Sequence, residues 1–313
     1  MQKIFKILIP ILVLLFLVWT ISKNGPLVWG QISTANLMVV SISMVFLGLT
    51  YLGGAFLWFL ILKDFSEKVE FGEVFRIFIV SNFGRFLPGV ALHYIARVYL
   101  SKSLGLKVSD RVSAVVLEAY YTLAGGVIVA VLALPIAVKF TTLPWILYLV
   151  AVGLLILIFM APPRIAFLLA SKIPIIGKHI PVIGIKKTNK KHHLKLIGMS
   201  VGLFLIYGTA FNILIYAFAG NSLMQLPQIT GLLSASWVIG FLTPIAPGGL
   251  GVSDLSFAFM LQYFYNLSFA SFIALTFRFL LFIAEGIMFI SVLKLSNFDI
   301  VNFKKMSMEV SDE

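Results

Sequence analysis

Long apolar windows follow one another along the chain, and many are long enough to cross a membrane as single helices. A bilayer core needs about 20 apolar residues per helix, and weakly charged runs of that order recur from one end of the sequence to the other. Short basic or neutral segments separate them. The windows are Ile4–Ile21, Asn36–Leu62, Val74–Ile95, Val112–Leu134, Pro144–Ala161, Leu196–Ala219, Ile229–Ile245, Val252–Phe264 and Phe269–Leu293. This pattern predicts an all-α polytopic membrane protein.

Proline and glycine interrupt the apolar pattern in two places. The first is Pro88-Gly89, and the second runs from Pro244 to Gly251. Proline removes a backbone donor and glycine adds backbone freedom, so a helix that reaches either segment should break. A break at membrane depth is tolerated where protein buries it or a water-filled cavity solvates it. Transporters often bind their substrate at such breaks.

The distribution of basic residues predicts how the chain threads the membrane. The 162–195 loop is rich in lysine and has no acidic residue, the 97–111 loop is also basic, and the 221–228 loop is uncharged. Basic loops stay cytoplasmic, so a full crossing at 74–95 would place 97–111 on the wrong side. We therefore expect about six transmembrane helices plus two oppositely oriented re-entrant hairpins. The N- and C-termini should be cytoplasmic, in the plasma membrane.

The two breaks also predict an internal repeat. Pro88 and Pro247 lie 159 residues apart, and Asn36 and Leu196 lie 160 apart. In the predicted threading each hairpin follows two helices and precedes one, so the halves have inverted topology, as in many secondary transporters. We expect one membrane domain over 1–313, with half one at about 1–135, half two at about 144–295, and a cytoplasmic tail at 296–313.

Composition excludes several classes of protein. Only 12% of residues are charged, against about one quarter in soluble domains. The net charge of +12 follows from the basic loops and does not indicate a nucleic-acid partner. No nucleophile–base arrangement, phosphate-binding loop or dinucleotide fingerprint occurs, and the loop histidines lack a metal-site pattern. We therefore expect no catalytic residue, cofactor or metal.

Charged residues inside apolar windows are costly, so they are candidates for function by default. They are Arg85, Arg97, Glu118, Asp254, Arg278 and Glu285. Arg85 either anchors a lipid phosphate through its bidentate fork or pairs with Glu118 and fixes the fold. Arg97 is expected nearer the interface, as a loop or headgroup charge. Glu118 is expected to neutralise Arg85 or to receive a cationic headgroup.

The remaining candidates surround the second break. Asp254 either caps a helix or orients a substrate there, and Arg278 is expected to pair with it. Glu285 should meet a partner on another helix. Exposed N–H groups at both glycine turns are expected to bind an anionic headgroup, as helix N-termini do. The turn residues proposed for substrate contact are Pro88, Gly89, Pro247, Gly248, Gly249 and Gly251.

Two sequence blocks resemble a known family. Ser81-Asn-Phe-Gly-Arg-Phe-Leu-Pro-Gly89, followed by Arg97 and a helix that carries Glu118, is similar to the first block of the flippase-like membrane domain family, named for the lysylphosphatidylglycerol synthase transmembrane region. The segment from Trp237 to Val252 resembles its second block. The resemblance spans essentially the whole chain.

The resemblance implies movement of lipids between leaflets. In bifunctional members an aminoacyltransferase domain follows the membrane domain, and because this chain ends at Glu313 we expect a stand-alone member without it. The expected function is transport of a phospholipid or lipid-linked headgroup, without enzymatic activity. The alternative is a non-catalytic subunit that recruits a separate lipid-modifying enzyme. As partners, a membrane lipid is expected, and a homo-oligomer or such an enzyme stays open.

Overall fold

In the residues that it describes, the structure, which is a computed structural model, has four long helices, two pairs of short helices and one further short helix near the N-terminus. It describes residues 25–33, 35–86, 92–137, 190–220, 225–243 and 249–296, with isolated positions between 15 and 22 and at 153. The predicted spans at 4–21 and 144–161, most of the 162–195 loop and nearly all of the 296–313 tail lie outside the described residues. The described part is helical without strands, which confirms the all-α fold class.

The helices are labelled in chain order. They are α1 (Gly25–Ser33), α2 (Leu37–Lys63), α3 (Phe71–Phe83), α4 (Leu92–Leu100), α5 (Val108–Ala137), α6 (Lys190–Ala219), α7 (Leu226–Leu242), α8 (Val252–Leu261) and α9 (Leu267–Ser296). Short 3₁₀ turns follow α3 at Gly84–Phe86 and α4 at Ser101–Leu104. Helices α2, α5, α6 and α9 are apolar and long enough to cross a membrane.

The short helices form two packed pairs at the predicted breaks. Helices α3 and α4 contact each other and make the first hairpin, and α7 and α8 do the same in the second hairpin. Helix α3 has 13 residues, which at 1.5 Å per residue gives about 20 Å, less than a bilayer core. Helix α8, with 10 residues, is shorter still. Each hairpin is therefore held by the long helices around it.

The order of long and short helices repeats. Helices α2, α3, α4 and α5 run long, short, short, long, and α6, α7, α8 and α9 repeat that order. The counterparts are α2 and α6, α3 and α7, α4 and α8, and α5 and α9. Contacts between helices also occur in corresponding pairs. Helix α5 packs on α7 and on α6, and its counterpart α9 packs on α3 and on α2. This correspondence is the mark of two structurally equivalent halves.

Counterpart helices α2 and α6 pack together in antiparallel directions. The Asn36 N–H donates to the Ala217 carbonyl oxygen at 3.0 Å at one end, and the Ser43 hydroxyl donates to the Ala210 carbonyl oxygen at 2.7 Å further along. At the other end Asp64 lies 2.9 Å from His192. Because equivalent helices run in opposite directions, the halves are inverted relative to each other, as the repeat predicted.

Small residues let the long helices approach closely. A methyl group built at Gly125 of α5 would lie 2.7 Å from the backbone carbonyl carbon of Ser200 on α6. One at Gly231 of α7 would lie 1.9 Å from the Cβ of Ala133 on α5. Small residues at helix contacts are typical of membrane proteins, where packing replaces the hydrophobic effect. The contacts between halves are therefore tight.

The inverted halves predict the sidedness of two exposed connections. Ser103, between α4 and α5, and Gln262, after α8, occupy corresponding places in the two halves. We expect single cysteines at Ser103→Cys and Gln262→Cys to react with a membrane-impermeant maleimide from opposite sides. The chain has no cysteine of its own, so each label reports one position. Labelling of both from the same side would contradict the inverted repeat.

Candidate functional site

Arg97 and Glu118 form a buried ion pair in the first half. Arg97 Nη1 lies 2.8 Å from Glu118 Oε2, and the Arg97 side chain is 1% exposed. Its Nε donates to Ser81 Oγ at 3.1 Å and its Nη2 donates to the Asn82 side-chain oxygen. The guanidinium also lies over the Phe78 ring, 4.2 Å from its centroid. This group, the first lock, ties both helices of the first hairpin to α5.

The first lock corrects two expectations. Arg97 is not an interfacial headgroup charge, because α4 folds back along α3 and carries it inside the protein. Glu118 does not pair with Arg85, because the neighbouring Arg97 already occupies it at 2.8 Å. A buried arginine whose donors meet a carboxylate and two polar neighbours has a structural role that its position in the sequence did not reveal.

Asp254 and Arg278 form a second buried pair, as predicted. Arg278 Nε donates to Asp254 Oδ1 at 2.8 Å, and its Nη2 lies 2.7 Å from the same oxygen. That Nη2 also donates to Ser253 Oγ at 2.7 Å. The Arg278 side chain remains 20% exposed. This group, the second lock, ties α8 to α9.

The second break has the tight turn that its glycines predicted. Gly249 and Gly251 have φ values of 71° and 82°, which glycine adopts readily. A methyl group at Gly249 would lie 3.1 Å from the Gly240 backbone, so the turn presses against α7. The Gly251 N–H donates to Asp254 Oδ2 at 3.0 Å. Asp254 therefore caps α8 and pairs with Arg278 at once, and the Gly251 N–H is already occupied.

The two locks sit at corresponding places with reversed charge. The first joins an arginine on α4 to a carboxylate on α5, and the second joins a carboxylate on α8 to an arginine on α9. Glu118 and Arg278 are 160 residues apart, which matches the spacing of the repeat. Each lock joins the second helix of a hairpin to the long helix that follows it.

A third pair bridges the two halves. Arg85 Nε, in the 3₁₀ turn after α3, lies 3.6 Å from Glu285 Oε1 on α9. The Tyr51 hydroxyl of α2 donates to Glu285 Oε2 at 3.2 Å, and the Arg85 guanidinium lies 6.0 Å from the centroid of the Tyr51 ring. Phe83 and Phe289 stack beside this contact, 4.5 Å between centroids. Arg85, Glu285 and Tyr51 are called the central cluster below.

The central cluster lies near the middle of the long helices. Tyr51 is near the midpoint of α2, and Tyr207 is near the midpoint of its antiparallel counterpart α6. Tyr207 is within electrostatic range of both Arg85 and Arg278, and its ring packs on Phe277 at 5.2 Å. Tyr207 therefore lies where the charges of arginines from both halves act on it.

The structure brings together some predicted site residues and leaves others undescribed. Arg85 and Glu285 meet in the central cluster, and the other four charged candidates are paired in the locks. Pro88, Gly89, Pro247 and Gly248 lie outside the described residues. Sequence reasoning missed Tyr51, Tyr207 and Ser253, because neutral polar residues are common in spanning helices. The usable signal was the central position of the two tyrosines in apolar windows.

Comparison with known proteins places the chain in a family. The sequence model of the family described as lysylphosphatidylglycerol synthase TM region matches residues 4–287. The chain belongs to this family. The match contains both hairpins, both locks and the central cluster, and it indicates a lipid-related function in a membrane. No curated protein matches the chain.

The first lock makes a prediction about stability. Glu118→Gln would leave the buried Arg97 without a neutralising charge, which should lower the free energy of unfolding by about 3 kcal/mol or more. Glu73→Gln, the same substitution at an exposed position on α3, should change it by less than about 0.5 kcal/mol. Unfolding midpoints in mixed detergent micelles measure both. Equal unfolding midpoints for the two variants would show that the Arg97–Glu118 pair does not stabilise the fold.

Proposed function

We propose that this protein moves a phospholipid, or another lipid-linked headgroup that carries phosphate, between the leaflets of the plasma membrane. The observation that carries the proposal is the central cluster, which places a partly exposed arginine between two inverted halves. Secondary transporters built from inverted repeats bind their substrates near the bilayer midplane at that interface. Membership of the lysylphosphatidylglycerol synthase TM region family supports a lipid as the substrate.

Arg85 is the group proposed to contact the phosphate. Arginine presents a planar fork of donors that matches phosphate oxygens. The Arg85 side chain is 30% exposed, whereas that of Arg97 is 1% exposed and lies 2.8 Å from Glu118. Arg278 is 20% exposed, and its charge acts on Tyr207, as does that of Arg85. Both arginines are paired with carboxylates, and Arg85, the more exposed of the two, is the one proposed to meet an anionic group.

The two locks suggest how the halves could move. Each lock holds a hairpin against the long helix of its own half. The central cluster joins the first hairpin to α9 of the other half through a longer and less hydrogen-bonded contact. In this proposal each half rocks as a unit around the cluster and exposes Arg85 to one leaflet at a time, as in alternating access. The basic 162–195 loop and both termini face the cytoplasm.

Transport without a chemical reaction is part of the proposal. The alternative is a membrane subunit that recruits a separate lipid-modifying enzyme, and the family description, which names a synthase, favours it. Under that alternative a soluble enzyme would co-purify in fixed ratio and purified chain alone would not move lipid. The two functions therefore give opposite results in vesicles.

A vesicle experiment tests the proposed function. Purified protein in liposomes should speed the exchange of fluorescent phosphatidylglycerol between leaflets over protein-free liposomes. Arg85→Gln should lower the protein-dependent rate about tenfold or more, the loss expected when about 1.4 kcal/mol of stabilisation disappears. Arg76→Gln is the control, because Arg76 lies on α3, the helix that leads into the turn of Arg85, but outside the central cluster.

Two results would contradict the proposal. One is a wild-type rate equal to that of protein-free liposomes. The other is an equal loss of rate in the Arg76 and Arg85 variants, which would mean that the loss of charge on the hairpin acts without a specific site. Folding of each variant is checked by its elution in detergent and its thermal midpoint.

A further inference from the structure

Of the three arginine–carboxylate pairs in the described residues, one has the longest separation between its charged groups. Arg97 and Glu118 approach to 2.8 Å, and Arg278 and Asp254 to 2.7 Å, whereas Arg85 and Glu285 are 3.6 Å apart. A distance of 3.6 Å is beyond a normal hydrogen bond. The charges of Arg85 and Glu285 therefore lie further apart than those of the other two pairs, and Arg85 donates no hydrogen bond to Glu285, as Arg278 does to Asp254.

The hydrogen bonding of the third pair is also incomplete. Within the described residues, the one hydrogen bond of Arg85 runs from Nε to the Asn82 carbonyl oxygen at 3.4 Å. Glu285 Oε1 is buried and accepts no hydrogen bond, while Oε2 accepts one from Tyr51. The N–H groups on the terminal nitrogens of Arg85 are thus available to a ligand. Glu285 has a hydrogen bond from Tyr51 that does not depend on Arg85.

The two members of this pair differ in access. The Glu285 side chain is 1% exposed, but Arg85 is 30% exposed, the highest value among the three paired arginines. An anion that arrives at the central cluster therefore meets the guanidinium first and the carboxylate only behind it. It could form the bidentate hydrogen bonds that Glu285 does not form.

We infer that Glu285 is an internal counter-ion that competes with a phosphate-bearing ligand for Arg85. The inference rests on the proposed function and names the regulation of its site. Without ligand, Glu285 neutralises an arginine that would otherwise be unpaired inside the membrane, which is costly. With ligand, the phosphate takes the guanidinium and Glu285 keeps its hydrogen bond from Tyr51.

Competition of this kind limits affinity and favours release. A transporter site must bind well enough to load and weakly enough to unload, as conduction sites do. Because the ligand must replace an existing attraction, only the difference between the two interactions appears as binding free energy. Removing the counter-ion should therefore tighten binding, which is unusual for a substitution in a binding site.

The test measures ligand affinity of the full chain in detergent. The probe is dioctanoyl phosphatidylglycerol, with dioctanoylglycerol as the phosphate-free control and inorganic phosphate as the lipid-free one. Glu285→Gln should lower the Kd for the phospholipid about tenfold, equivalent to one pair interaction of moderate strength. Arg85→Gln and the Arg85→Gln, Glu285→Gln double variant should both bind much more weakly than wild type, because the gain requires Arg85.

The outcomes show whether Glu285 competes with the ligand for Arg85 or helps to bind it. Unchanged or weaker binding in Glu285→Gln overturns the inference, as does a gain that persists in the double variant. Glu285→Asp keeps the charge but draws it back from Arg85, so it should give an intermediate gain and serves if Glu285→Gln does not fold. A parallel gain for inorganic phosphate assigns recognition to phosphate alone, and its absence assigns it to the intact lipid headgroup.

The binding test and the vesicle test separate the two proposals. Tighter binding in Glu285→Gln with no lipid movement by the wild type would support the counter-ion and remove the transport function. Lipid movement by the wild type with no gain in binding would support transport and remove the counter-ion.

Discussion

A charge inside a membrane must be neutralised, and this constraint organises the whole protein. Burying an unpaired guanidinium or carboxylate costs far more than a domain can offset, so such groups occur in pairs. The described residues hold three arginine–carboxylate pairs. Two lie within the halves and hold each hairpin to its long helix. The third lies between the halves, and its distance and exposure set it apart.

The inverted arrangement of the halves gives that third pair its position. Helices α2 and α6 pack in antiparallel directions, and Tyr51 and Tyr207 each lie near the midpoint of their helix. The first hairpin places Arg85 beside Tyr51, and α9 of the other half places Glu285 there. The locks have reversed polarity, so the symmetry of the backbone is kept while the chemistry differs between halves. The two halves thus share a backbone arrangement but carry different charged groups.

Much of this could be predicted from sequence. Apolar windows, the Pro–Gly breaks and the 159-residue spacing led to the all-α fold and the inverted halves, because helix length and loop charge are local properties. The Asp254–Arg278 pair was also predicted, since a charged residue in an apolar window needs a partner of opposite charge on another helix. The alternative in which Arg85 pairs with Glu118 was wrong, because sequence does not tell how far α4 folds back along α3. That fold-back places Arg97, and not Arg85, beside Glu118.

The residues that sequence reasoning missed share a physical reason. Tyr51 and Tyr207 carry no charge and lie in apolar windows. Placing them in a membrane does not have the energetic cost of a charged residue, so the sequence does not single them out. Their importance arises from helix packing, which aligns two positions far apart in the chain. The repeat offset could have found the locks, because Glu118 and Arg278 are separated by the same spacing as the breaks. No pair at the repeat spacing points to the central cluster, so identifying it required the structure.

The central claim is that Arg85 holds a phosphate-bearing lipid between the two halves. Native mass spectrometry of the protein purified in mild detergent tests it most directly, because it detects the ligand retained by the site. The account predicts a bound phospholipid on the wild type that is lost in Arg85→Gln and kept in Arg76→Gln. The same lipid, at the same occupancy, on all three proteins would contradict it.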